Sequence, residues 1–256
     1  MTSSSSASRS SSRHFFGEEW TLLSTRMLGG VRYVCASASL DDKRHFLFGG
    51  KDANGYSSTV VEYNSTLQNW RTHPPLPEKR SYSTATAIDD HSLLVIGGYS
   101  SSTERSCYVY DTRSEEWSTD WPLLNIGRWY HASVYTNDKK AYVIGGYKSN
   151  TGPLDSIEEI DLSLPTPNWR VLSQGLNKKR SGCRAIAHPK NPNNVIVVGG
   201  YNDNESYNDK HLRCCEMVCL DQTQDGQTRL PSMTTPRAYH TLVLKQHADI
   251  SFLVSL

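Results

Sequence analysis

No apolar run in the 256 residues approaches the roughly 20 that a membrane-spanning helix requires, so no such helix is expected. The six cysteines, Cys35, Cys107, Cys183, Cys214, Cys215 and Cys219, contain no CxxC pair and follow no hydrophobic secretion signal. A disulfide framework is therefore not expected, and they read as reduced thiols. GxSxG, HExxH and Gly-rich phosphate loops are missing, which removes the motif-legible hydrolases, zinc proteases and nucleotide binders. Charge of one sign is missing too. Lys+Arg 27 against Asp+Glu 26 leave a formal net charge of +1, too little for the electrostatic footprint of a nucleic-acid or anionic-membrane binder. No segment keeps the 3.6-residue apolar period over a helical length.

Acidic residues are also absent from the first thirteen positions, MTSSSSASRSSSR, where eight residues are serine and almost nothing is apolar. Such a segment cannot offset the entropy of ordering its backbone, so residues 1–16 are expected to be a disordered tail. Arg9 and Arg13 in this acid-free stretch suggest an organelle transit peptide. Without an apolar face, an unstructured cytosolic tail is the preferred reading, and the expected location is cytoplasmic.

What the chain does have is a repeated word. LFGGK at Leu47–Lys51, VIGGY at Val95–Tyr99 and again at Val143–Tyr147, and VVGGY at Val197–Tyr201 place double glycines at steps of 48, 48 and 54 residues. Arg32, Arg80 and Arg128 each stand 17 residues before their glycine pair, Arg180 stands 19 before, and Arg237 opens a fifth unit. Tyr63-Asn64, Tyr110-Asp111, Ile160-Asp161 and Leu220-Asp221 follow the glycines, and Trp70, Trp117 and Trp169 follow those. The fourth unit has Gln227 near the expected Trp position. Within the third unit, HASVYT, AYVIGG, SIEEID and NWRVL read as four short strands separated by turn-like or Pro-containing segments. Four antiparallel strands in about 50 residues cannot bury both faces alone, so the units must stack on one another, and radial stacking makes a propeller. A glycine at the end of a buried strand permits positive φ or close backbone approach, Trp supplies apolar bulk between sheets, and the Arg is suited to bridging loops or backbone carbonyls near the blade tops.

These residues, in this order and spacing, resemble the kelch repeat of β-propellers, best in the third unit with Arg128, His131, Gly145-Gly146, Ile157–Asp161 and Trp169. The Gly-His and Trp-Asp signatures of the WD type are absent. The expected fold is all-β: a kelch-type β-propeller with four full blades of four antiparallel strands plus a partial fifth. Its repeats are expected at about 32–79, 80–127, 128–179, 180–236 and 237–256, within a domain of residues 17–256. In residues 17–31, EEWTLLS around Trp20 reads as a lone outer strand and Gly29-Gly30 as a turn. That strand is placed to join the C-terminal sheet formed by YHTLVLK and ISFLVSL, but the composite lacks a third strand. A closed ring, an open arc with exposed edges and a truncated chain are all compatible with the sequence.

The densest chemical cluster, HLRCCEMVC at His211–Cys219, is compatible with zinc by residue type. On a strand, however, His211, Cys215 and Cys219 lie about 13 Å apart per step, and Cys214 points the other way. Buried thiols are preferred and no metal is assigned. YNDNESYND at Tyr201–Asp209 lacks the EF-hand order and reads as polar turn. His131 and His240 stand three residues after their Arg, where other units have Cys35, Ser83 and Cys183. That position reads as structural, near the central channel, with a pair of His facing across the channel as the competing reading.

The resemblance implies that ligands bind loops on one propeller face. Those loops carry Tyr56, Tyr99, Arg105, Trp129, Tyr130, Tyr147, Lys148, Arg184, Tyr201, Tyr207 and Tyr239, residue types enriched at protein interfaces. The expected function is non-catalytic binding of a protein or peptide partner, with neither nucleic acid nor membrane. The resemblance allows a substrate receptor in ubiquitin ligation or a cytoskeletal scaffold. No BTB or F-box segment precedes Trp20, so a ligase link would need a separate subunit. The competing class is an enzyme or carbohydrate-binding propeller using the central channel, as in galactose oxidase or a sialate epimerase. The copper ligand set of the oxidase is not identifiable, no cofactor is assigned, and composition does not set an oligomeric state.

Overall fold

The computed structural model describes residues 27–28, 30–206, 209–221, 227–245 and 251–255. The Ser-rich tail, the expected outer strand with Trp20, Gly29 and the candidate residue Tyr207 lie outside the described residues. Among the described residues all regular structure is strand.

In the first blade, β1 (Ala36–Ser39) and β2 (Arg44–Phe48) precede a small hairpin of β3 (Lys51–Asp52) and β4 (Gly55–Tyr56), followed by β5 (Val60–Asn64) and β6 (Asn69–His73). The second blade contains β7 (Thr84–Ala87), β8 (Ser92–Ile96), β9 (Cys107–Asp111) and β10 (Glu116–Ser118). In the third, β11 (Ala132–Thr136) and β12 (Lys140–Ile144) lead through a hairpin of β13 (Tyr147–Lys148) and β14 (Gly152–Pro153) to β15 (Ile157–Asp161) and β16 (Arg170–Val171). The fourth contains β17 (Arg184–His188), β18 (Asn191–Val198), β19 (Cys215–Cys219) and β20 (Gln227–Leu230), and a two-stranded fifth sheet contains β21 (Thr241–Lys245) and β22 (Ser251–Ser255). Every full blade is an antiparallel meander in chain order. The two inserted hairpins were not expected from the repeat pattern.

The second strand of each blade explains the architecture. A strand with neighbours on both edges and sheets on both faces reads as a continuous apolar run rather than an alternation. In β8, SLLVI, all five residues are buried. Because side chains alternate across a strand, Leu93 and Val95 join Phe46, Phe48 and Val60 of the first blade, whereas Leu94 and Ile96 join Ala141, Val143 and Ile160 of the third. In β12, Tyr142 and Ile144 turn to Val195 and Val197 of the fourth blade, and Ile196 and Val198 in turn cluster with Leu242 of the fifth sheet. The core is thus a succession of seams between adjacent blades. Trp117 on β10 bridges one seam, edge-on to Phe48 at 6.1 Å, with its indole N–H donating to Pro74 O at 3.1 Å.

The Asn or Asp that ends the third strand has a local task. Asn64, Asp111 and Asp161 each accept the backbone N–H two residues on, at 3.0, 2.7 and 2.9 Å, which fixes the turn into the fourth strand. These turns lie at the opposite ends of the strands from the glycine pairs.

Candidate functional site

The recurring arginines build the floor of one propeller face. Arg32, Arg80, Arg128 and Arg180 are buried, and each directs Nη1 at the carbonyl of the first glycine of its own pair, at 2.8, 3.2, 2.8 and 2.7 Å. The same Nη1 reaches the carbonyls of Thr59, Ser106, Ser156 and Cys214, just ahead of the third strand. The Arg main chain faces the other way. Arg80, Arg128, Arg180 and Arg237 carbonyls accept from the second glycine N–H of the preceding blade at 2.8, 2.9, 2.8 and 2.7 Å. One residue therefore clamps its own blade with its side chain and the previous blade with its backbone.

The glycine is required at the contact itself. Gly145 has φ +60°, and a Cβ there would lie 2.7 Å from Arg180 O. The remaining guanidinium nitrogens need partners, and the third strand supplies them in a way the repeat pattern did not reveal. Glu158, fully buried, accepts from Arg128 Nη2 at 2.7 Å and from Asn125 and Ile126 N–H; Glu216 receives Arg180 Nη2 at 2.5 Å and Asn177 N–H. At the matching place in the second blade, Arg80 lies 4.4 Å from the centre of the Tyr108 ring. The first blade has Val61 there, and Arg32 Nε and Nη2 have no hydrogen-bond partner among the described residues.

Two residues after each Arg the chain enters the left-handed region. Val34, Tyr82, Tyr130, Gly182 and Tyr239 have φ of 53, 58, 55, 59 and 58°. Each amide from the second onward donates to the carbonyl of the equivalent residue one blade back: Tyr82 to Val34 at 3.0 Å, Tyr130 to Tyr82 at 3.1 Å, Gly182 to Tyr130 at 2.7 Å and Tyr239 to Gly182 at 2.8 Å. A relay of backbone bonds thus passes from blade to blade around the axis and holds five residues in a conformation that side chains otherwise disfavour.

On this relay stands a continuous aromatic arc. Tyr56 meets Tyr99 with ring centres 6.0 Å apart, Tyr99 meets Trp129 at 5.3 Å, Trp129 meets Tyr130 at 4.6 Å, and Tyr130 meets Tyr239 at 4.5 Å. Tyr147 closes on Trp129 at 5.2 Å, and Tyr82, which the sequence reading did not single out, joins Tyr130 at 4.3 Å. Its recurrence with Tyr130 and Tyr239 two residues after an Arg was the available signal. The arc crosses the fourth blade because Gly182 has no side chain: a Cβ there would lie 2.6 Å from the Tyr239 ring. Tyr239 is 48% exposed and Tyr33, on the residue following Arg32, is 54% exposed. Burial raises the Tyr130 and Tyr239 hydroxyls above the ordinary phenol range, so both remain neutral donors.

The other candidates separate by position. Tyr99, Tyr147 and Tyr201 exchange paired backbone bonds with Ser81, Trp129 and Ser181, so their recurrence has a structural cause. Tyr201 packs on His211 at 5.3 Å, away from the arc contacts. Lys148 is exposed on β13. Arg105 has its Nε committed to Leu124 O at 2.6 Å. Arg184 does not stand on a face loop. It is the first residue of inner strand β17 and lines the central channel, because the strand starts four residues after Arg180 with its side chain directed to the axis.

The inner strands adjoin in the order β1, β7, β11, β17 and β21. They enclose a channel cavity of about 260 Å3 whose lining includes Ser37, Ser83, Thr84, Ser133, Arg184 and Thr241. His131 and His240 do not face each other across it. Each is wedged into a separate seam, the His131 ring 3.1 Å from where a Gly97 Cβ would sit and the His240 ring 2.9 Å from the Gly199 equivalent. His131 Nε2 shares a proton with Thr84 Oγ1 at 2.9 Å. Burial, then the Arg128 charge, pushes His131 down to about 3, and burial with Arg184 pushes His240 to about 4. In the cysteine cluster, Cys214 Sγ accepts from Arg180 Nη2 at 3.2 Å while Cys215 Sγ lies 3.8 Å from Arg213 O. The six cysteines are free thiols.

Comparison with known proteins agrees with this architecture. The model of the attractin/LZTR1 β-propeller family matches residues 46–252. Alpha-scruin from Limulus polyphemus is 30% identical over 193 residues, which cover 71% of this chain; the chain spans about a fifth of that relative, 20% of its length. The solved structure of YjhT superposes with a TM-score of 0.73 at 16% identity, covering 93% of this chain and 84% of that one, a likeness of fold. With its Arg and double-Gly clamps repeated blade by blade and the family model spanning most of its length, the chain belongs to the attractin/LZTR1 β-propeller family, a propeller of kelch repeats.

Proposed function

We propose that the chain is a non-catalytic protein-binding module whose protein or peptide partner docks on the aromatic face. One observation carries the reading: the unbroken run of rings from Tyr56 through Tyr99, Trp129 and Tyr130 to Tyr239, of which Tyr130 and half-exposed Tyr239 belong to the hydrogen-bonded relay. Tyr and Trp offer large apolar area with a polar atom and little rotamer entropy, the combination found at interface hot spots. Membership of a kelch family supports the same use. Cation clustering does not add to it, since Arg184 lies in the channel and exposed Arg105 has its Nε tied to Leu124 O, leaving Lys148 as the exposed cation of the three without such a tie among the bonds described.

The test compares two surface variants with the unaltered chain as baits in cell lysate, each first shown to keep its melting temperature. The double variant Tyr33→Ala/Tyr239→Ala should lose the recovered partner. Leu164→Ala, an exposed apolar residue in the turn after Asp161, should retain it. Retention by the first variant, or loss by both alike, would dismiss the aromatic face.

A further inference from the structure

The channel contains an unexplained charge. Arg184 is half-buried, and among the described residues its hydrogen bond is Nη1 to Cys183 O at 3.3 Å, with no ion pair. The fully buried arginines Arg80, Arg128 and Arg180 each have a carboxylate or ring against the guanidinium besides their carbonyl bonds, whereas half-buried Arg184 has a single carbonyl bond and no such partner among the described residues. A partly desolvated cation without a counter-ion attracts one, and its field in the cavity favours an anion. Burial lowers the Arg184 pKa, and no carboxylate opposes that shift.

A second observation points into the same space. Ser83 lines the cavity and is 7% exposed, and its buried hydroxyl has no hydrogen-bond partner among the described residues. Ser37, Ser133 and Thr241 bring further hydroxyls from three other blades, and Ser37 and Thr241 are exposed, so the cavity communicates with solvent. We infer that the channel binds a small monovalent carboxylate, its oxygens on the Arg184 guanidinium and its remaining polar groups on the hydroxyls of Ser37, Ser133 and Thr241.

The charge selects the class. A guanidinium presents a planar fork that matches a carboxylate in two bonds. The titratable groups nearest to it are His131 and His240, both held neutral at pH 7, and the thiols of Cys35 and Cys183, both raised by burial. The cavity therefore holds one positive charge. A dianion such as phosphate would leave one negative charge without a partner in the cavity.

The experiment titrates the full chain by calorimetry at pH 8 and fixed ionic strength with sodium acetate, lactate and glycerate, and with glycerol and inorganic phosphate. At least one carboxylate should saturate a single site, glycerate most tightly, with phosphate weaker by about tenfold or more and glycerol silent. Arg184→Gln should abolish saturation, and Ser133→Val, which fills the cavity without touching the charge, should weaken it by about tenfold. Failure of all three carboxylates to saturate, equal binding of glycerol or phosphate, or undiminished binding in a folded Arg184→Gln chain would overturn the inference. The comparison among salts needs only the unaltered chain, so it decides the matter even where a variant does not fold.

Discussion

Arg128 makes no contact with solvent, and its neighbours satisfy its guanidinium: two backbone carbonyls, Ile126 O, Ser156 Oγ and the Glu158 carboxylate. Breaking one side of such a buried pair costs about 3–5 kcal/mol, because the other charge is stranded. Arg128→Met is therefore expected to destabilise by that amount in urea unfolding, and adding Glu158→Met should recover part of it. Arg32→Met, which removes carbonyl bonds but strands no carboxylate, should cost only about 1–3 kcal/mol. His131 gives a pH signature. An unfolded histidine titrates near about 6.5, whereas His131 in the fold is pushed to about 3. The unfolded chain then binds a proton that the folded chain refuses, so this contribution is complete above pH 6.5 and is lost as pH falls toward 3. Between pH 7 and 5 the wild type should lose about 2 kcal/mol more than His131→Ser, measured by urea unfolding at each pH. The clamp arginines were legible in the sequence because their spacing to glycine is fixed. Their carboxylate partners were not, because Glu158 and Glu216 are replaced by Tyr108 and Val61 in the other blades and so leave no repeating letter.

At the scale of one element, the double glycine ending each second strand is where neighbouring blades come closest. Gly145→Ala combines a left-handed φ, worth about 1–3 kcal/mol for a residue with a side chain, with a methyl placed 2.7 Å from a backbone oxygen that cannot retreat without opening the seam. Gly30→Ala serves as its comparison, since Gly30 has φ +77° but nothing within 4 Å of the added carbon. Thermal denaturation should show Gly145→Ala as clearly the more damaging, and equal effects would show that the close approach contributes nothing. Strand positions were readable in the sequence where alternation or a closed apolar run was strong, as in β8, β11 and β12. The β3–β4 and β13–β14 hairpins were not, because two-residue strands carry no period. The aromatic arc was half visible: Trp129, Tyr130 and Tyr239 stood out as interface types, whereas Tyr82 and the space left by Gly182 acquire meaning only when the blades are stacked.

Across the whole molecule, stability is distributed over seams, each joining one blade to the next, and such arrays behave approximately as nearest-neighbour sums. The second, third and fourth blades each join clusters shared with two neighbours, whereas the described part of the fifth sheet is a pair of strands with one seam, to the fourth blade. Native-state hydrogen exchange should therefore release the amides of β21 and β22 at least about tenfold faster than those of β8 and β12; equal protection would mean the blades open only as a unit. The four full blades could be counted from glycine spacing, because the glycine answers a local steric demand, and the fifth sheet from Arg237. Arg184 was misplaced for the complementary reason: its letter matches an interface type, and only the radial arrangement of inner strands directs it to the axis. The relay of main-chain bonds through Val34, Tyr82, Tyr130, Gly182 and Tyr239 has a further result, since it uses no side-chain atom. The same joint is made with a valine, a glycine or a tyrosine at those five points, so selection can rewrite what the rim displays to a new client while the joint beneath it stays as it is.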